Sequence, residues 1–211
     1  MIAALYVERD GIYAGLDDVD VWDEERDARL YAGPWPVVAH PPCQRWSVMA
    51  GLVERVYGYR RGDDGGCFEA ALDAVRRFGG VLEHPFASAA WDRFGLPEPQ
   101  TDEGWTLGFC GGWSAYVEQG RYGLPVRKAT WLYAYGVDEL PPLRWGRTPP
   151  GSGEWEAGWR MRTRYKPDGG LHPRASRGAG RRLSSEAAQA TPLAFRDVLL
   201  NMARGVERRA A

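Results

Sequence analysis

Hydrophobic and polar positions switch between two periods along the chain. Ile2 to Val7 is a short apolar run closed by Arg9-Asp10-Gly11, which predicts a strand. Val19 to Trp22 predicts a second. About a dozen residues separate the two, with Gly11 and Gly15 among them, which is too few for the crossover helix of a parallel unit. Trp35 to His40 predicts a third strand, ended by Pro41-Pro42. Proline rings exclude helix and central strand, so Pro41 to Ser47 is expected to be a stiff loop.

The period then changes. Phe68, Ala71, Leu72, Val75 and Phe78 recur at helical spacing, with Glu69, Asp73, Arg76 and Arg77 on the opposite face. This predicts a helix over 67–78, stopped by Gly79-Gly80. Gly80 to Glu83 follows as a short buried strand ended by His84-Pro85, so the pair reads as half of a parallel α/β unit. Trp113 to Gln119 and Thr130 to Gly136 are rich in aromatic and β-branched residues and predict a long-looped hairpin. Residues 141–181 are rich in Pro, Gly, Trp and Arg and show little periodicity. Leu183 to Arg204 returns to a helical pattern, with Ser184-Ser185-Glu186 able to cap its first turn and Leu193, Phe195, Val198, Leu199 and Met202 on one face. The expected class is α/β, with one domain over 1–140 and 182–211 and a small basic insert over 141–181.

Composition narrows the picture. The 211 residues are 44% hydrophobic, enough for a core, and no run of about 18 apolar residues predicts a membrane span. The first residues lack the basic region of a signal peptide. Three cysteines, Cys43, Cys67 and Cys110, do not make a disulfide framework, and a reducing cytoplasm is expected, in a bacterium or a phage-infected cell. A net charge of −1 gives no bulk signal for nucleic acid, but the charge is uneven. Residues 1–27 carry nine acids against two arginines, and residues 144–182 carry ten bases against three acids. A basic cluster of that kind fits a nucleic-acid contact or a solvated loop about equally.

Candidate chemistry begins at His40-Pro41-Pro42-Cys43-Gln44-Arg45-Trp46-Ser47, where a strand feeds a proline loop displaying one thiol. In an open α/β sheet such loops line the ligand crevice. A thiol there becomes a nucleophile if its thiolate is stabilised by neighbours such as Arg45; otherwise it is a small buried cysteine. Glu83 ends the next strand, so two neighbouring parallel strands would bring a thiol and a carboxyl group to one edge. A part-buried carboxyl can hold and donate a proton, although capping or ion pairing are ordinary roles for it. Tyr122-Gly123-Leu124-Pro125-Val126-Arg127-Lys128 places two bases before an apolar strand, where they would bind phosphate, polarise a ring oxygen, or form a plain basic turn. His40, Cys43, His84, Cys67 and Cys110 lack Cys-x-x-Cys or His-x-Glu spacing, which argues against a zinc site.

In this order the three elements resemble the DNA cytosine-C5 methyltransferase family. Pro41-Pro42-Cys43-Gln44-Arg45-Trp46-Ser47 is similar to its Pro-Cys-Gln loop ending in Ser, and Glu83-His84-Pro85 stands where the family has Glu-Asn-Val. Tyr122-Gly123-Leu124-Pro125-Val126, followed by Lys128 and Thr130, is similar to its Tyr-Gly-Val-Pro-Gln with spaced arginines. Arg182-Leu183-Ser184-Ser185-Glu186-Ala187-Ala188 resembles its Arg-x-Leu-Thr-x-x-Glu-x-Ala stretch, with 141–181 in the place of the target-recognition region.

The resemblance implies a Rossmann-like methyltransferase-type sheet and a covalent mechanism. Cys43 would attack C6 of a cytosine flipped from double-stranded DNA. Glu83 would hold N3 and the 4-amino group and protonate N3, with Lys128 assisting. Pro42, Gln44, Arg45, Ser47, His84, Tyr122 and Arg127 would contact substrate. S-adenosylmethionine would be the donor, with Asp23 as the acid for its ribose. The family's Phe-x-Gly-x-Gly-Gly loop is replaced by Glu8-Arg9-Asp10-Gly11-Ile12-Tyr13-Ala14-Gly15-Leu16, so the cofactor half is expected to be truncated. Two further readings stand beside this one. The first is a pyrimidine-modifying enzyme with a folate-type donor, or a deaminase, working on DNA or a nucleotide. The second is a non-catalytic DNA-binding remnant.

Overall fold

The computed structural model describes residues 1–100, 103–125, 127–149 and 190–206. Its strands are β1 (Ile2–Leu5), β2 (Val19–Trp22), β3 (Val37–Ala39), β4 (Gly80–Pro85), β5 (Trp105–Leu107), β6 (Trp113–Glu118) and β7 (Ala129–Tyr135). Its helices are α1 (Ala50–Tyr57), α2 (Cys67–Phe78), α3 (Ala89–Arg93) and α4 (Leu193–Arg204). The strands form one mixed sheet in the order β2-β1-β3-β4-β7-β6-β5. β1 to β4 are parallel to their neighbours, and β4-β7, β7-β6 and β6-β5 pair antiparallel. The chain is thus α/β, and the hairpin expected over 113–136 is β6-β7.

Alternation along each strand splits the core into two layers. Ala3, Leu5, Val37, Ala39 and Leu82 face α2 and α3, meeting Phe68, Leu72, Val75 and Trp91. Ile2, Ala4, Val38, Val81 and Leu132 face α4, meeting Phe195, Leu199, Leu200 and Met202. The apolar stripe of α2 was legible because it is the face that packs. Glycine carries one close approach: Gly80 has φ +127°, and a Cβ there would lie 2.0 Å from the carbonyl oxygen of Val37. Only glycine lets β4 start this close to β3.

Two expectations change. β1 and β2 are parallel although their connection holds no helix; residues 6–18 turn back through bends alone. The run Leu183 to Arg204 is not one continuous helix: residues 190–192 are non-helical, and α4 starts at Leu193 after Pro192 as its N-cap. Ser184-Ser185-Glu186 lies outside the described residues, as does 150–181 of the basic insert. The start of that insert is tied to the main body: Leu143 is buried, and the Arg144 N–H donates to the Tyr122 hydroxyl at 2.8 Å. Among the described residues no helix is long and apolar enough to cross a membrane.

Candidate active site

Four parallel strands put their carboxyl ends along one edge, and the strand order reverses at β1, which has β2 on one side and β3 on the other. A crevice outside that point is the usual ligand site of an open α/β sheet. Register does the rest. Ala39 pairs with Leu82, so the next residues, His40 and Glu83, stand level on the face turned to α4. Glu83 follows Val81 by two positions and shares its face; His84 follows Leu82 and shares the other.

Glu83 is 8% exposed and both its oxygens are engaged. Oε2 meets His40 Nδ1 at 2.9 Å, and Oε1 accepts from Gln119 Nε2 at 3.1 Å. His40 Nε2 meets the Tyr13 hydroxyl at 2.8 Å. Gln119 Nε2 also donates to Thr130 Oγ1 at 3.0 Å. A polar chain Tyr13–His40–Glu83–Gln119–Thr130 therefore crosses the edge of four strands. Burial alone would raise the Glu83 carboxyl, but the His40 hydrogen bond and the charges of Lys128, His40 and His84 win and hold it at about 2. The group expected to hold a proton is a carboxylate in this resting site.

Cys43 is a free, half-buried thiol just past β3. Its carbonyl accepts from the N–H groups of Trp46 and Ser47 at 3.0 and 2.9 Å, which curls the loop into a helical turn. Burial and then the charge of Glu83 raise the thiol, against a backbone hydrogen bond and Lys128 that lower it. The thiol and the carboxylate are thus electrostatic neighbours, as are the thiol and Lys128. Lys128 has φ +31°; its Nζ donates to the Ala190 carbonyl at 3.1 Å, and its own carbonyl accepts from the Gln119 N–H at 3.1 Å.

The remaining expected residues are dispersed. Pro42 and Gln44 are exposed on the loop. Arg45 lies over the Tyr59 ring at 3.9 Å, and Ser47 Oγ accepts from the Met49 N–H at 3.3 Å. His84, 1% exposed, turns away from Glu83 and packs against Phe68 and Trp91, with Nδ1 2.7 Å from Ser88 Oγ. Burial lowers His84 to about 4, so it is neutral. Tyr122 is a core residue against Phe195, and Arg127 binds the buried Glu118 at 2.5 Å and the Tyr116 hydroxyl at 2.8 Å. Asp23 stands just past β2, where its oxygens accept from Arg9 Nε at 3.1 Å and the Arg26 N–H at 3.0 Å.

Sequence reasoning missed Tyr13 and Gln119, and weighed His40 only as a metal ligand. Gln119 closes the run Trp113 to Gln119 that predicts a strand, as Glu83 closes Gly80 to Glu83, and that was its one local signal. The residues fit S-adenosylmethionine poorly: no helix follows β1 to offer its N-terminus, and Asp23 already serves Arg9 and a backbone turn. Among the described residues no group of three or more His, Cys, Asp or Glu is placed to hold a metal. A cavity of about 360 Å³ lies on the other side of the Cys43 loop, lined by Trp46, Arg61, Gly62, Ala89, Asp92 and Arg93.

Compared with known proteins, the chain matches no protein-family model and no curated protein.

Proposed function

We propose that this protein modifies cytosine at C5 in DNA, through covalent attack of Cys43 on C6 of the ring. The observation that carries the reading is that Cys43 follows β3 and Glu83 lies near the carboxyl end of β4, the adjacent parallel strand, with the charges of Glu83 and Lys128 both acting on the thiol. The mixed α/β sheet, with four parallel strands and an antiparallel β7 next to β4, is compatible with the Rossmann-like sheet that this reading calls for.

In this reading a bond forms between sulfur and C6, the C5–C6 double bond opens, and N3 takes a proton. C5 is then nucleophilic and bonds to an electrophilic carbon. Loss of the C5 proton and of the thiolate restores the ring. Glu83 accepts from the 4-amino group and serves N3. Gln119 Oε1 is buried without a hydrogen-bond partner, an acceptor suited to a ring amino group. While the site is empty, the charge on Glu83 helps keep Cys43 a thiol. A ring that engages the carboxylate relieves that charge, so the nucleophile is released when substrate is present. No step is assigned to a particular donor.

The surface beside Cys43 favours a polymer over a free nucleotide. Residues 45–61 carry four arginines against Glu54, and Val48, Leu52, Val56, Tyr57 and Tyr59 among them are exposed. Arginine and aromatic side chains together suit a phosphate backbone and unstacked bases.

Exchange of tritium from C5 of cytosine tests the proposal without any donor. Duplex DNA carrying [5-³H]cytosine is expected to lose tritium with the wild type and not with Cys43→Ser. Exchange from deoxycytidine triphosphate but not from DNA moves the substrate to nucleotides; release of ammonia makes the enzyme a deaminase; silence on both substrates contradicts the covalent reading.

A further inference from the structure

An ionised Glu83 leaves a chemical gap in that reading. Cytosine N3 has a lone pair and needs a proton, whereas a carboxylate has only lone pairs to offer. The structure places one candidate source in contact with it. His40 bonds Glu83 Oε2 through Nδ1 at 2.9 Å and the Tyr13 hydroxyl through Nε2 at 2.8 Å. Its side chain is 14% exposed, and the Glu83 side chain 10%. Both ring nitrogens are thus committed, which fixes the imidazole plane.

We propose that His40 is the positioning residue of this site, holding both the orientation of Glu83 and the proton that Glu83 passes to the ring. The inference rests on the cytosine reading above. The balance is simple. His40 in its doubly protonated form donates to Glu83 from Nδ1 and to the Tyr13 oxygen from Nε2. As the Cys43–C6 bond forms, the Nδ1–H bond breaks, a carboxyl O–H forms and breaks in turn, and an N3–H bond forms. His40 is left neutral, still donating to Tyr13. When the thiolate leaves, N3 returns the proton by the same route. No outside reagent is consumed.

The surroundings suit this role. Tyr13 keeps its proton, because burial and then the charge of Glu83 push the phenol well above its ordinary range; Arg196 on α4 opposes and Asp197 adds to that push. The charges of Lys128, just before β7, and of His84, from across the sheet, act on the carboxylate, whose own charge acts on Cys43 in the proline loop. Gln119 holds the second carboxylate oxygen, so rotation of the carboxylate is blocked from both sides.

Three variants and two readouts test this. Infrared difference spectra, with Glu83→Gln as the blank, follow ionisation of Glu83. Release of tritium from C5 of cytosine in duplex DNA follows attack by Cys43 without any donor. In His40→Leu the carboxyl is expected to titrate at a clearly higher pH, and exchange at pH 7.5 to slow about a hundredfold, with partial recovery as pH falls. His40→Asn, which keeps one N–H near the carboxylate, is expected to restore much of the ionisation but little of the rate. Tyr13→Phe shifts both readouts in the same direction by less, and serves if His40→Leu does not fold. Unchanged titration and an unchanged rate profile in His40→Leu and Tyr13→Phe overturn the proposal. No exchange by the wild type removes the cytosine reading and the proton role with it, while a shifted Glu83 titration would still establish the His40–Glu83 coupling.

Discussion

At Glu83 burial and hydrogen bonding pull in opposite directions, and the bonding prevails; at His84, one residue on, burial prevails. The pair makes a pH prediction. The unfolded chain takes up a proton on His84 near 6.5, whereas the fold refuses it down to about 4. It also protonates Glu83 near 4.5, whereas the fold resists down to about 2. In both ranges the unfolded state binds more protons, so stability falls as pH falls. The loss runs from 6.5 to 4 for His84 and from 4.5 to 2 for Glu83. Urea unfolding against pH is expected to show it, and His84→Gln should flatten the limb between 6.5 and 4; an unchanged limb contradicts the assignment. Glu83→Gln is expected to lower C5 exchange by about a hundredfold or more with the fold intact. A rate within a few-fold of the wild type would dismiss Glu83 from the chemistry. Cys43 and Glu83 were legible at this scale because each follows a recognisable strand. Tyr13, His40 and Gln119 were not, since only the sheet brings positions 13, 40, 83 and 119 together.

Among the elements, β3 and β4 matter most, because their register sets His40 level with Glu83. Gly80 guards that register. Gly80→Ala drives a Cβ onto the Val37 carbonyl and demands φ near +127°, so a destabilisation of about 3 kcal/mol is expected. Thermal unfolding measures it, and a shift within error would mean that β3 and β4 can part without cost. The sequence announced α2 and β4 clearly and α1 not at all. The reason is length and packing: α2 repeats its apolar spacing over twelve residues that bury Phe68, Leu72 and Val75, while α1 has eight residues, with Leu52 and Val56 one turn apart and exposed. β5 spans three residues, too few for a period to show.

The whole molecule pairs an acidic N-terminal stretch with four arginines over residues 45–61, which follow Cys43 in the chain. A net charge of −1 hides this, because bulk charge averages over faces that a polyanion meets one at a time. If DNA lies along residues 45–61, Arg55→Ala with Arg60→Ala should reduce the salt dependence of binding by about two counterions. An unchanged slope would place DNA elsewhere. The order of motifs anticipated an α/β sheet with a thiol and a carboxyl group at one edge. It anticipated no helix between β1 and β2 but not their parallel pairing, because a turn-rich connection of that length carries no periodic signal of which way the chain returns. The most direct test of the account is release of tritium from C5 of cytosine in duplex DNA by the wild type and by Cys43→Ser, Cys67→Ser and Cys110→Ser, a readout that needs no donor. The account predicts exchange by the wild type, Cys67→Ser and Cys110→Ser, and none by Cys43→Ser. Exchange retained by Cys43→Ser, or none by the wild type from either DNA or nucleotide, would contradict it.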